Sequence, residues 1–165
     1  MQLEMWQLHS NFENHHEYEI DITIMTEDGT ITQKITGIQA SYRYRRTMSW
    51  HIEVDFNNPL NFHFSDYNGD GYLDMGLRFA PGGSMMNDPH YIWLWDSYLN
   101  QFIRNNKLEW ISNEGSIELM EDGTIHSSSR ITMGHYSLRI FTFIDGYLTL
   151  IENKEINPLK KEETP

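Results

Sequence analysis

The chain has 165 residues, enough for one domain with a sizeable core, and its 39% apolar and 13% aromatic content excludes a disordered polymer. Acids outnumber bases 24 to 12, a formal charge of −12, so the basic surface that nucleic acid requires is missing and metal cations or a basic protein suit the chain better. Cysteine is absent, which excludes disulfides, thiolate metal sites and cysteine nucleophiles.

In chain order, the dominant period is two. The stretch "YEIDITIM" (18–25) alternates, with Ile20, Ile22 and Ile24 on one face, and "EDG" (27–29) signals a hairpin into "TITQKITGI". "SYRYRRTMSWHIEVDF" (41–56) has strand character, and "LNFHF" (60–64) runs into an acidic loop. "YLDMGLRFA", the turn-rich "PGGSMMNDP" (81–89) and the aromatic "HYIWLW" (90–95) follow. A short helix is expected within "SYLNQFIRNNKLEWI" (97–111). Then "GSIELM", "TIHSSSRITM", "YSLRIFTFI" and "YLTLIENKE" read as four antiparallel strands in meander order, with turns at "EDG" (121–123) and "DG" (145–146). The two "EDGTI" hairpins resemble each other, but the acidic loop occurs once, so the chain is not read as a duplication.

The fold expected is all-β, an antiparallel β-sandwich or partly open barrel of roughly eight to ten strands. We expect an N-terminal extension over 1–17, a β domain over 18–156 and a C-terminal tail over 157–165. No apolar run approaches the 18 residues of a spanning helix, and the first residues show no basic segment followed by an apolar one.

The sharpest chemistry lies in "DYNGDGYLD" (66–74). Counting Asp66 as position 1, oxygen donors fall on alternate residues: Asp66, Asn68, Asp70, Tyr72 through its carbonyl, and Asp74. Calcium takes six to eight oxygens at about 2.3–2.6 Å, and a tight loop with ligands on alternate residues supplies them. Gly71 permits the bend that turns the Tyr72 carbonyl inward. Carboxylates crowded without Lys or Arg repel one another, and a divalent cation reverses that sign. Leu77 stands where an EF-hand has its closing glutamate, so Asp74 is expected to close the shell in a strand–loop–strand calcium site. Magnesium suits the loop less well, because it keeps most of its waters. A single loop without the bidentate glutamate fits the weak extracellular range, roughly 10⁻⁴–10⁻³ M.

The segment from Asp66 to Ser112, with "DYNGDGYLD", the Gly-rich turn, the Trp-Leu-Trp-Asp strand and the spacing Phe102, Asn105, Leu108, resembles a family of small bacterial cell-envelope proteins with one calcium loop. The aromatic strand, "DG" and "YLTLIE" near the C-terminus extend that likeness to about residues 18–155. The family is similar in fold to periplasmic inhibitors of invertebrate-type lysozyme. The resemblance implies a non-catalytic, calcium-stabilised β-sandwich whose partner is a lysozyme-like or other envelope protein. It also implies an extracytoplasmic location, periplasmic, secreted or lipid-anchored, with the export signal outside this sequence.

Other features have plainer readings. The eight histidines are scattered, and His15 and His16, adjacent in a strand, point to opposite faces. Arg43 and Arg45 in "RYRR" share a face of an edge strand. Tyr91, Trp93 and Trp95 alternate with Ile92 and Leu94, the pattern of a strand buried on both sides. Met85 and Met86 in "GGSMM" suit a protein contact. No nucleophile elbow, phosphate loop or His-Glu-x-x-His motif is present, so no enzyme is expected. The alternative is a metal-dependent hydrolase of cell-wall or carbohydrate substrates, with Asp66, Asp70 and Asp74 holding the metal.

Overall fold

The computed structural model describes residues 2–12, 15–26, 28–43, 62–79, 87 and 89–156, with the backbone alone over 2–20 and 40–43. Three hairpin-linked groups of strands build three antiparallel sheets. β1 (Gln2–Phe12), β2 (His15–Met25) and β3 (Ile31–Arg43) form the first sheet, in that order. β4 (Phe62–Ser65), β5 (Asp74–Arg78), β6 (His90–Asp96) and β7 (Gln101–Arg104) form the central one. After the helix α1 (Asn106–Glu114), β8 (Ser116–Leu119), β9 (Ile125–Thr132), β10 (His135–Ile144) and β11 (Tyr147–Ile156) form the third.

The fold is thus the antiparallel all-β architecture expected, and among the described residues no sheet closes into a barrel. The four C-terminal strands take the meander order read from their turns. Residues 2–12, expected to lie in an extension, form β1 and pair along their whole length with β2. The short helix expected within 97–111 runs from Asn106 to Glu114, because Gln101–Arg104 pairs with β6 as β7. "RYRR" beyond Arg43, most of 41–56, the "GGSMM" turn and the C-terminal tail lie outside the described residues, as do the side chains of His15, His16 and Arg43.

The central sheet is buried on both faces. On one, Phe62, Met75, Leu77, Trp93 and Phe102 pack against Ile22, Ile24 and Ile38 of the first sheet. On the other, Ile92 meets Leu108 and Ile111 of α1, and Ile125 and Phe141 of the third sheet. The alternation in "YIWLW" therefore divides one strand between two cores, since neighbouring residues point to opposite faces. Each fully buried Ile, Leu or Met contributes about 1.5–3 kcal/mol relative to exposure.

Polar side chains finish what the strands leave open. β7 is an edge strand, and Gln33 of β3 caps it: its amide donates to the Phe102 carbonyl and accepts the Phe102 N–H, each at 2.8 Å. Asn105 ends β7 by donating its N–H to the Ile92 carbonyl at 2.8 Å, and starts α1 by accepting the Leu108 N–H on its side chain at 3.0 Å. The spacing Phe102, Asn105, Leu108 thus encodes a core anchor, an N-cap and a second core anchor. Beyond β7 the buried Glu109 accepts the Ile92 N–H at 3.3 Å and a two-pronged ion pair from Arg104 at 2.7 and 2.9 Å.

Candidate metal centre

The acidic loop connects β4 to β5 at one end of the central sheet, flanked by paired strands through Ser65 and Asp74. Its bends fall on Gly69 and Gly71, whose φ of 73° and 86° lie in the left-handed region that glycine adopts without strain. The loop is ordered by its own carboxylates. Asp66 accepts the N–H groups of Gly69 and Asp70 on Oδ1, at 2.8 and 3.1 Å, and that of Gly71 on Oδ2 at 2.8 Å. Asn68 accepts the Asp70 N–H at 3.1 Å and donates its side-chain amide to Asp70 Oδ2 at 2.8 Å. Asp70 Oδ1 in turn accepts the Tyr72 N–H at 2.9 Å.

Asp74 plays a different part. It is fully buried, and its two oxygens accept the N–H groups of Tyr67 and Trp95, each at 2.8 Å. Burial pushes its pKa from 3.8 up to about 6; the two hydrogen bonds oppose that rise, and the charges of Asp70 and Asp66 add to it. A carboxyl in this setting is relieved either by a proton or by a nearby cation.

Of the five residues expected to hold calcium, Asp66, Asn68 and Asp70 share one hydrogen-bonded turn, Tyr72 follows it with its side chain half exposed, and Asp74 lies beneath. Among the described residues, no group of three or more His, Cys, Asp or Glu side chains stands close enough to hold a metal ion. The carboxylates instead point at main-chain N–H groups. A calcium shell here would therefore draw on the Asn68 amide and the Tyr72 carbonyl as well as on carboxylates. An ionised carboxylate offers about four acceptor sites. Asp74 uses two of these and Asp66 three, which leaves capacity for a cation on each. The donor set is oxygen throughout, the hard chemistry that calcium selects.

Two residues of this site were not legible as part of it. Tyr67 is buried, donates its N–H to Asp74, and has its hydroxyl against His63 Nε2. Its signal in the sequence is an aromatic residue between two oxygen donors, pointing inward. Trp95 joins the site through its main chain, 21 residues from Asp74, and no local pattern announces that. His63 also meets His90 edge to face, with ring centroids 4.8 Å apart, over the side-chain-free Gly76.

No helix among the described residues is long and apolar enough to cross a membrane. No protein-family model matches the chain, and no curated protein matches it significantly. A solved structure of a Xanthomonas type IV secretion system related protein is similar, with a TM-score of 0.61 over 93% of this chain and 76% of its own. At 12% sequence identity, that likeness shows the fold alone.

Proposed function

We propose that this chain is a non-catalytic calcium-binding β domain of the bacterial cell envelope that acts by binding another protein. The observation that carries the calcium reading is the pairing of an ordered oxygen-donor loop with the buried Asp74 beneath it. Asp66, Asn68, Asp70, the Tyr72 carbonyl and Asp74 are the ligands, and the bound ion would remove the electrostatic cost that burial and two neighbouring carboxylates place on Asp74. The role is structural: the loop joins β4 to β5, so holding it fixes one end of the central sheet.

The envelope setting rests on two supports. A single loop with this donor set suits calcium concentrations found outside the cytoplasm. The likeness in fold to a bacterial secretion-system-related protein agrees with a bacterial envelope module. A lysozyme-like or other envelope protein is the partner class that the lysozyme-inhibitor resemblance suggests. Absence of chemistry is part of the proposal, since the acids of the loop are engaged in shaping it.

Terbium luminescence sensitised by Tyr67 and Tyr72, competed by calcium, tests the site directly. Saturable terbium binding displaced by calcium, and weakened at least tenfold in Asp66→Asn, supports the reading. Terbium binding that ignores this substitution removes it.

A further inference from the structure

The β6–β7 turn lies at the same end of the central sheet as the acidic loop, because β5 begins and β6 ends there. The β2–β3 turn reaches the same region, and between it and β6 lies an open cleft of about 580 Å³. That volume is within the range of binding pockets. The floor is apolar: Ile24 and Met25 of β2, and Trp95 of β6, whose ring is braced edge to face by Phe102 at 5.0 Å. The polar residues lining it, among those described, are Thr26, Asp28, Thr32 and Asn100.

Among the described residues, Asp28 is the only charged one lining the cleft. The Thr26 hydroxyl and the Thr30 N–H, the latter at 3.1 Å, bond its Oδ1 and hold its carboxyl below the usual range. Both bonds fall on Oδ1, and Asp28 itself is exposed to solvent. The surrounding turns, 26–30, 66–73 and 97–100, carry four acids and no Lys or Arg. Beside the cleft, Tyr98 is 94% exposed and Leu99 52%. They do not belong to a slack loop, because their N–H groups donate to Asp96 Oδ1 at 2.9 and 2.8 Å.

We propose that this cleft receives a lysine or arginine side chain from a basic segment of a partner protein. The aliphatic stem lies along Ile24, Met25 and Trp95, the cationic head meets Asp28, and Tyr98 and Leu99 pack against the rest of the segment. The match is one of charge and shape together. Long basic side chains pair an apolar stem with a cationic tip, and this cleft pairs an apolar floor with an anionic mouth. A sugar would need several polar groups across the floor, which is apolar here. An apolar ligand would leave the carboxylate without a counter-charge. The inference rests on the reading of this domain as a binding module, and not on calcium.

The test is a nitrogen-edited NMR titration of the whole chain, run in calcium and in EDTA. The probe is a capped pentapeptide of glycines with one central arginine, and its norleucine counterpart is the control. Saturating shifts of the Trp95 indole and the Asp28 and Asn100 amides are expected with the arginine peptide. Asp28 is exposed and water screens its charge, so affinity should fall only about three- to fivefold with norleucine or with Asp28→Asn. Because Asp28 also shapes its own turn, Thr32→Arg is the second variant. It places a cation in the cleft without touching that turn, and should abolish the shifts. No shift at Trp95 up to tens of millimolar overturns the proposal, as does equal affinity for the two peptides. Shifts confined to another face also overturn it, while leaving the binding-module reading in place.

Discussion

Asp74 Oδ1 accepts the main-chain N–H of Trp95 at 2.8 Å, and this bond ties the first residue of β5 to the end of β6. The other oxygen holds the Tyr67 N–H at the same distance, so one buried carboxyl fastens the acidic loop to the central sheet. Removing it should show the difference between a surface acid and a structural one. Asp74→Ala leaves the buried Tyr67 N–H and the partly buried Trp95 N–H without partners, and we expect a loss of about 2–4 kcal/mol. The measurement is urea unfolding at pH 5, where the Asp74 carboxyl is mostly protonated and relief of charge does not mask the lost bonds.

The raised pKa of Asp74 makes stability depend on pH in a stated direction. Between pH 3.8 and about 6 the folded state holds a proton that the unfolded state has released, so without calcium stability falls as pH rises through this window. At 1.36 kcal/mol per pKa unit, a carboxyl titrating near 6 instead of 3.8 costs about 3 kcal/mol once ionised. Asp74→Asn should flatten that fall. Millimolar calcium should flatten it too, because the cation favours the ionised form. Unfolding free energies across pH 4 to 7, with and without calcium, read both effects.

Glu109 is buried and Arg104 is about half exposed, yet they share a two-pronged ion pair. Arg104 also covers the Tyr91 ring at 4.5 Å. Arg104→Ala should cost about 1–2 kcal/mol, less than a fully buried pair because water reaches the arginine. Glu109→Ala should cost more, since it also removes the acceptor of the Ile92 N–H. Paired chemical unfolding curves test the ranking.

Gly76 is open to a steric test. A Cβ placed there would lie 2.2 Å from the His63 imidazole. Gly76→Ala should therefore swing the ring away from Tyr67 and His90 at a cost of about 1–3 kcal/mol. The His63 ring resonances and the melting temperature should change together.

Local patterns in the sequence account for much of this molecule. The C-terminal meander was readable because "EDG" and "DG" punctuate alternating runs, and the two-sided burial of β6 because bulky residues fill both alternations of "YIWLW". β7 was not readable: four residues long, it is fixed by pairing with β6 and by Gln33, 69 positions from Phe102. β1 was missed because it gains its place by pairing with β2, a contact that no local turn signal in "NFENHH" announces. In the site, spacing revealed the oxygen donors but not that Asp74 is a buried anchor. That role depends on Trp95, which only the sheet brings near.

The central claim is that calcium holds this loop, and a thermal melt tests it most directly. The chain is melted in EDTA and across a calcium titration, alongside Asp70→Ala. A ligand that binds only the folded state at a hundred times its Kd contributes about 2.7 kcal/mol, a rise of about 5–10 °C for a domain of this size. The account predicts such a rise, reversed by EDTA and absent in Asp70→Ala. A melting temperature that tens of millimolar calcium leaves unchanged, or raises equally in Asp70→Ala, would contradict it.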